Sequence, residues 1–93
     1  MIRSFKSAVT RSVYNGETPK GFPSNLTAVA RRKLSYLNAA AVLGDLASPP
    51  GNRLEALKGD RKGQHAIRIN DQFRICFVWT NEGPTGVEIV DYH

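Results

Sequence analysis

The second half of the chain alternates between apolar and polar residues with a period of two. The alternation runs through residues 65–70 and 73–80, and a further β-type run follows at 86–90. Asn70-Asp71 and residues 81–85 separate these runs and are rich in residues that favour hairpin turns. A period of two is typical of strands with one buried face, so the pattern predicts an antiparallel sheet. The stripe expected on the buried face is Phe73, Ile75, Phe77 and Trp79.

The first half of the chain has helical spacing instead. Val9 and Val13 predict a short helix over residues 6–14, and Asn15-Gly16 is expected to close it because both residues tolerate positive φ.

A longer helix is predicted to begin at Ser24 or Asn25, since either residue is suited to cap a first turn. Its apolar residues recur at helical spacing and form one stripe: Leu26, Val29, Ala30, Leu34, Leu37 and Ala41. The basic run Arg31-Arg32-Lys33 is expected on the solvated flanks of this helix. Residues 39–46 either continue the helix or begin another after a kink.

Three shorter segments complete the predicted layout. Residues 2–5 are expected to form a short edge strand, and residues 53–57 a further strand. Residues 47–52 are expected to be loop, because two prolines remove two backbone donors there. The sequence therefore predicts one α+β domain over residues 1–93. In it, two to three N-terminal helices pack on one face of a four- to five-stranded, mostly antiparallel sheet.

The net charge and the residue composition limit the kinds of binding partner and of catalytic chemistry to expect. The net charge of +5 favours a polyanion, an acidic protein or an anionic membrane. No apolar stretch approaches the ~20 residues needed to span a bilayer, so no membrane-spanning segment is expected, and no membrane is among the expected partners. One cysteine, Cys76, excludes an internal disulfide framework and indicates a reducing cytoplasm. His65, His93 and Cys76 lie far apart without metal-ligand spacing, so we expect catalysis without a bound metal or cofactor.

The most chemically informative segment is Asp91-Tyr92-His93, directly after the last β-type run. Upstream lie Arg74, on a predicted strand, and the basic loop 58–62. RNA supplies its own nucleophile, the 2′-hydroxyl, so an enzyme can cleave it without a metal. The enzyme needs a base for that hydroxyl, an acid for the departing 5′-oxygen, and cations for the charge on the phosphoryl oxygens. The combination indicates a small ribonuclease.

Each candidate catalytic residue has a role that suits its side chain. His93 is the natural proton-transfer group, because a free imidazole titrates near neutral pH. Asp91 would orient that imidazole or act as the base itself, and Tyr92 would stack on a nucleobase or donate a hydrogen bond. Arg74 suits bidentate phosphate binding, and Lys58 suits a point charge. The further candidates for RNA or ribosome binding are Arg53, Arg61, Lys62 and Arg68.

The same residues also have ordinary structural explanations. His93 fits a solvated terminal residue, Arg74 a solvated strand arginine, and residues 58–62 a charged turn. If the stripe of β-type apolar residues meets the helices, Arg74 points to the opposite face of the sheet. Tyr92 and His93 alternate in face, so one of them needs a bulge, a twist or a frayed end to join Arg74. Spacing alone leaves open which one.

Three segments together resemble one known family of proteins. They are Pro49-Pro50-Gly51-Asn52-Arg53-Leu54-Glu55-Ala56-Leu57-Lys58-Gly59-Asp60-Arg61, then residues 63–79, then Val87-Glu88-Ile89-Val90-Asp91-Tyr92-His93. The chain resembles the HigB host-inhibition toxins, also called plasmid maintenance killer proteins, of the RelE/ParE superfamily. The likeness covers essentially the whole chain and is weakest between Lys6 and Ser24.

This resemblance implies both an activity and a set of partners. HigB toxins cleave mRNA in the ribosomal decoding site, and they are encoded beside a helix-turn-helix antitoxin of the HigA type. The expected partners are therefore that antitoxin, the ribosome and its mRNA, with operator DNA contacted only through the antitoxin.

The resemblance also implies roles for individual residues. Arg74 matches a position that stabilises the transition-state phosphate, and Lys58 matches a basic catalytic or binding position. Asp91-Tyr92-His93 matches the terminal catalytic segment. The sequence departs from the family at Glu55, where some relatives carry a histidine, so the division of acid and base roles stays open.

Two other functions remain compatible with the sequence. One is a ParE-like poison of DNA gyrase that does not cleave nucleic acid. The other is a catalytically degenerate toxin that survives as an antitoxin-binding module.

Overall fold

A computed structural model describes residues 1–91 of the chain, and Tyr92 and His93 lie outside the described residues. Two α-helices precede a four-stranded sheet. The elements in chain order are α1 (Ala8–Tyr14), α2 (Thr27–Ala39), β1 (Glu55–Ala56), β2 (His65–Arg68), β3 (Phe73–Thr80) and β4 (Gly83–Asp91). Short 3₁₀ turns lie between them at Ser24–Leu26, Leu43–Ala47, Pro50–Asn52 and Gly59–Arg61. The predicted α+β architecture is confirmed, with two helices at the lower end of the expected number.

The sheet is a meander in the order β1-β2-β3-β4, and every pair of neighbouring strands is antiparallel. Both predicted hairpins are present. In the first, Asn70 Oδ1 accepts from the backbone N–H groups of Gln72 (2.9 Å) and Phe73 (2.7 Å), which is an Asx turn. In the second, only Asn81-Glu82 form the turn, because Gly83 already pairs with Thr80.

The N-terminal segment runs parallel to β4 and covers part of its outer edge. A single bridge joins Phe5 to Val87, so the predicted edge strand is present in much reduced form. Gly83 allows the two segments to approach closely, since a Cβ atom there would lie 2.2 Å from the carbonyl oxygen of Met1. Farther along the same edge, the backbone N–H of Ile89 donates to Thr10 Oγ1 of α1 at 2.9 Å. This edge is therefore partly covered rather than open to pairing with another chain.

Local sequence explains where α1 begins and ends. Ser7 Oγ accepts from the backbone N–H of Thr10 at 3.3 Å and caps the first turn. Asn15 is the C-terminal cap, and Gly16 follows with φ of +96°, as the sequence predicts.

The longer helix differs from the prediction at both ends. Neither Ser24 nor Asn25 caps it with a side chain, because both residues belong to a 3₁₀ turn that leads into α2. The helix stops at Ala39, and Ala41 is exposed rather than part of the apolar stripe. The cause is the Asp45 carboxylate, which accepts from the backbone N–H of Ala41 (2.9 Å) and of Val42 (3.2 Å) and holds a separate turn there.

The main core lies between the helices and one face of the sheet. The apolar stripe of β3 faces the helices as predicted. The fully buried residues of this core are Val13, Ala30, Leu34, Leu37, Leu46, Ile67, Ile75, Phe77 and Val87.

One flank residue of α2 contradicts the sequence prediction. Lys33 is only 6% exposed rather than solvated. Its Nζ donates to Asn52 Oδ1 at 2.5 Å, and Asn52 is itself fully buried and donates to the carbonyl oxygens of Leu46 (3.1 Å) and Ser48 (3.2 Å). Arg31 and Arg32 remain half-buried and exposed, respectively.

The predicted strand at 53–57 is also shorter than expected. Arg53 has φ of +46° and ψ of +53°, a left-handed conformation that cannot continue a strand. Pairing with β2 is therefore confined to Glu55 and Ala56. The preceding predicted loop, residues 47–52, contains the last residue of the turn Leu43–Ala47 and the whole of the turn Pro50–Asn52.

A bulge in β4 decides which of its side chains face the helices. Cys76 pairs with Glu88 and Val78 pairs with Thr85, so Gly86 and Val87 together oppose Phe77. Gly86 adopts φ of +61°, which is the conformation of the first residue of a glycine bulge. As a result, Val87 enters the main core while Glu88 points to the other face of the sheet. Within residues 1–91, neither α-helix has both the length and the hydrophobicity of a membrane-spanning segment.

Candidate functional site

The face of the sheet opposite the helices carries the candidate residues. Directly paired residues in an antiparallel sheet project to the same face. Arg68, Arg74 and Val90 form one such row across β2, β3 and β4. A second row contains Glu55, Ala66, Cys76 and Glu88. The floor of this face is a small apolar cluster of Leu57, Ala66, Cys76 and Val90.

Arg74 lies on this face, as the alternation predicts, and is half-buried. Its Nη1 donates to the carbonyl oxygen of Phe73 at 3.2 Å and also to the carbonyl oxygen of Asn70. The first hairpin turn therefore holds one end of the guanidinium. An arginine oriented in this way presents a fixed positive charge beside the sheet.

Arg68 and Arg53 lie near Arg74, at the end of the sheet where the first hairpin turns. Arg68 Nη2 donates to Asp71 Oδ1. The Arg68 guanidinium lowers the pKa of the Asp71 carboxyl below its ordinary value, and the positive charges of Arg53 and Arg74 add to this effect. Arg68 pairs directly with Arg74. Arg53 lies two residues before Glu55, which pairs with Ala66 on β2, so the three arginines share the end of the sheet at the first hairpin. We call Arg53, Arg68 and Arg74 the arginine cluster.

The basic loop after β1 provides a second group of cations. Lys58 and Lys62 are exposed at the two ends of the 3₁₀ turn Gly59–Arg61. Arg61 is different, because its guanidinium donates to Gln64 Oε1 (3.1 Å) and to Glu88 Oε1 (3.0 Å). Arg61 thus ties the loop to β4, while Lys58 and Lys62 extend into solvent.

Glu88 is the acidic centre of this second group. Its side chain is 14% exposed and lies 3.0 Å from Arg61 Nη2 and 3.9 Å from Lys6 Nζ. Neither Lys6 nor Glu88 was predicted from the sequence to have a role. The available signal was the alternation of β4, which puts Glu88 on the same face as Val90.

Asp91 is exposed at the end of β4 and pairs with Phe73. By alternation it belongs to the face of Ile89 and Ile75, while Val90 is the residue directly opposite Arg74. Asp91 Oδ2 accepts from Gln72 Nε2 at 3.1 Å, which ties the strand end to the first hairpin turn. Asp91 is therefore close to Arg74 along the sheet but not in its row. Tyr92 and His93 lie outside the described residues, and their roles stay predictions.

Three further titratable residues lie in or near these rows, and they are Glu55, Cys76 and His65. Glu55 is exposed on β1, where it pairs with Ala66 on the candidate face. Burial raises the pKa of the Cys76 thiol, with Arg61 opposing and Glu88 adding to the effect, so Cys76 acts as a small buried apolar residue. His65 is on the helix side, where its ring stacks on Phe77 with centroids 6.3 Å apart. This agrees with a packing role for His65.

The arrangement is suited to binding a polyanion. Its cations come from the segments before and after β1, from β2 and from β3, and Arg68 and Arg74 share one face of the sheet. Within the described part of the chain, no group of three or more His, Cys, Asp or Glu side chains is arranged to hold a metal ion. Asp71, like Lys6 and Glu88, was not predicted to be part of the site, because its sequence position indicated only a hairpin turn.

Two comparisons with known proteins found similar sequences. A family model described as the RelE-like toxin HigB of type II toxin-antitoxin systems matches residues 3–93. "Toxin HigB-1" of Vibrio cholerae serotype O1 is 46% identical over 59 residues, which cover 63% of this chain and 62% of that protein. An uncharacterized protein of Haemophilus influenzae is 39% identical over 66 residues, which cover 71% of this chain and 65% of that protein. "Endoribonuclease HigB" of Proteus vulgaris is 28% identical over 93 residues, the full length of both chains.

The extent of these matches differs. The chain spans a little under two thirds of the length of the Vibrio and Haemophilus relatives, whereas it spans all of the Proteus relative at lower identity.

Proposed function

The chain belongs to the HigB-like family of RelE-like toxins of type II toxin-antitoxin systems, and we propose that it is an endoribonuclease that cleaves mRNA on the ribosome. Cleavage would arrest translation and growth. The name of the Proteus vulgaris relative, "Endoribonuclease HigB", supports this activity. We propose the cytoplasm as its location.

The single observation that carries this proposal is the pairing of Arg68 with Arg74 on the face of the sheet opposite the helices. Two like charges directly across an antiparallel pair are unfavourable unless an anion lies between or beside them. A phosphodiester is such an anion, and guanidinium groups bind it bidentately. Lys58, exposed in the adjacent loop, adds a point charge.

The proposed chemistry uses the substrate's own nucleophile. The 2′-hydroxyl attacks the adjacent phosphorus, the bond to the 5′-oxygen breaks, and the products are a 2′,3′-cyclic phosphate and a 5′-hydroxyl. Arg74 and Lys58 stabilise the charge that develops on the non-bridging oxygens. Asp91, Tyr92 and His93 supply the base that takes the 2′-hydroxyl proton and the acid that protonates the 5′-oxygen. Glu55 is a candidate for one of these proton transfers, since it lies on the same face as Arg74.

The proposed partners follow from the family. The toxin would be neutralised by an antitoxin with a helix-turn-helix DNA-binding domain, and it would reach operator DNA only through that antitoxin. The remaining positive side chains near the site, Arg53, Arg61, Lys62 and Arg68, would contact mRNA or ribosomal RNA.

The proposal is tested by expressing the toxin from an inducible promoter and mapping the 5′ ends of mRNA. Wild-type protein should arrest growth and produce cuts in register with codons. Arg74→Ala should lower the cleavage rate on isolated ribosomes by about 10²–10⁴-fold. Arg32→Ala is the matched control, because Arg32 is an exposed arginine on α2, and it should retain the wild-type rate.

Three results would contradict the proposal. Wild-type toxicity of Arg74→Ala would remove the role of that guanidinium. Inhibition of gyrase supercoiling without any mRNA cleavage would indicate a ParE-like poison. No growth arrest upon induction of the wild-type chain would indicate a degenerate toxin that only binds its antitoxin.

A further inference from the structure

The arginine cluster holds more positive charge than one scissile phosphate requires. Arg74 alone matches the family position that contacts that phosphate. Arg68 is its direct neighbour on β2, and Arg53 belongs to the loop before β1. Among residues 1–91, Asp71 is the carboxylate that binds the cluster, through Arg68, and the charges of Arg53 and Arg74 also lower its pKa.

The surrounding structure holds the Arg68 side chain in a partly buried position. Its side chain is 25% exposed, and its Nε is buried with no hydrogen-bond partner among the residues that the structure describes. One guanidinium nitrogen, Nη2, binds Asp71. A buried donor without a partner costs about 1–3 kcal/mol, so the local structure holds Arg68 in place at some expense.

Arg53 is fixed through its backbone. Its left-handed conformation is uncommon for a residue with a side chain and costs stability. The residue before it, Asn52, is fully buried and bonded to Lys33 and to two backbone carbonyls. Arg53 therefore leaves the loop from a rigid anchor, two residues before Glu55, whose partner Ala66 lies two residues from Arg68 on β2.

Asp71 differs from a structural carboxylate because it is exposed to solvent. Its side chain is 98% exposed, so the Arg68–Asp71 pair is readily broken by a competing anion. A carboxylate presents two oxygens to a guanidinium in the same geometry as two non-bridging phosphate oxygens.

We propose that Arg53 and Arg68 form a subsite for a second phosphodiester of single-stranded RNA, next to the phosphate at Arg74, and that Asp71 occupies this subsite until RNA displaces it. The ligand named here rests on the proposed function, because it assumes that the substrate is RNA. In the free protein Asp71 lowers the affinity of the cluster for phosphate. It thereby favours RNA that offers two neighbouring phosphates over isolated anions.

The subsite is tested by binding of a fluorescent, uncleavable 2′-O-methyl oligoribonucleotide over a range of salt concentrations. Asp71→Asn should tighten binding by about two- to fivefold, as expected for loss of an exposed competing ion pair. Glu17→Gln is the control for the change in net charge, because Glu17 is an exposed residue just after α1. Equal effects of the two substitutions would overturn the proposal.

A second set of variants tests whether Asp71 acts through Arg68. Arg68→Gln should weaken binding and reduce the slope of log K against log salt by about 0.7, the value for one single-strand phosphate contact. In the Arg68→Gln background, Asp71→Asn should no longer tighten binding by the same factor. Arg32→Gln should leave the slope unchanged, and an unchanged slope for Arg68→Gln would refute the subsite. Melting temperatures of all variants identify any that fail to fold.

Failure of the subsite and failure of the proposed nuclease activity give different results. If wild-type protein cleaves mRNA on ribosomes but Asp71→Asn binds RNA like wild type, only the subsite is wrong. If Asp71→Asn and Arg68→Gln shift RNA binding as stated but no cleavage occurs, only the nuclease is wrong. If Asp71→Asn tightens binding of a poly-glutamate peptide and leaves RNA binding unchanged, the cluster serves an acidic protein and the RNA subsite is wrong.

Discussion

The buried pair Lys33–Asn52 yields the sharpest test of how this fold is held together. Lys33 Nζ lies 2.5 Å from Asn52 Oδ1, and the Asn52 amide nitrogen binds the carbonyl oxygens of Leu46 and Ser48. Asn52 thus connects α2 to the loop that leads into β1. We propose a double-mutant cycle with Lys33→Met, Asn52→Ala and the double variant.

The expected energies follow from which buried groups lose their partners. Lys33→Met keeps an unbranched apolar side chain and leaves one buried acceptor unpaired, at about 1–2 kcal/mol. Asn52→Ala leaves a buried ammonium and two backbone carbonyls without this partner, at about 3–5 kcal/mol. The double variant has neither the ammonium nor the orphaned amide oxygen, so it should cost about 2–4 kcal/mol. The cycle therefore predicts an interaction energy of about 2 kcal/mol.

The cycle is measured by urea unfolding at neutral pH, monitored through Trp79 fluorescence. At about 4–8 °C per kcal/mol for a domain of this size, Asn52→Ala should also lower the melting temperature by more than ~12 °C. Arg32→Met is a matched control on the solvated side of α2 and should change the unfolding free energy by less than ~0.5 kcal/mol. If the two single effects simply add in the double variant, the pair is not coupled and the reasoning is wrong.

Two further predictions concern pH and the N-terminal segment. Burial, with the charges of Arg32 and Arg68, lowers the pKa of Lys33 in the folded protein from its ordinary value of 10.5. Between this lowered pKa and 10.5, the unfolded chain therefore binds more protons than the folded chain. The stability of wild type relative to Lys33→Met should therefore rise as pH increases through the folded pKa toward 10.5, and a difference that falls over this range would contradict the burial argument. Gly83→Ala should destabilise the fold by about 1–3 kcal/mol, because its Cβ would lie 2.2 Å from the Met1 carbonyl oxygen at φ of +122°. Gly44→Ala, which meets nothing within 4 Å and has no positive φ, should be near neutral in the same thermal melts, and equal effects would show that the contact with Met1 is unimportant.

Much of the fold follows from local pattern. The period of two in the second half specified β2, β3 and their hairpin, because alternation allows only one register with the apolar stripe inside. Ser7 and Gly16 bound α1 through backbone chemistry that acts over a few residues. The position of Arg74 on the face away from the helices follows from the same alternation.

The contacts between residues distant in the sequence could not be predicted from local pattern. Lys33 lies among charged residues on α2, and nothing in its neighbourhood indicates a buried partner 19 residues later. Arg61 and Glu88 lie 27 residues apart, so their ion pair appears only when the loop after β1 folds back over β4. The left-handed backbone of Arg53 ends the predicted strand early. It directly follows the buried Asn52, whose partner Lys33 lies 19 residues away.

The amino-acid sequence by itself determined the class of the fold, the two hairpins and the residue types suited to phosphate. Those properties depend on hydrophobic period and on backbone preferences, which are encoded within a few neighbouring residues. Only the tertiary structure decided that Arg68 binds Asp71 beside Arg74, and that Lys33 is buried on Asn52. Charged side chains carry no period of their own, so their partners are selected by the way helix, loop and strands pack against one another.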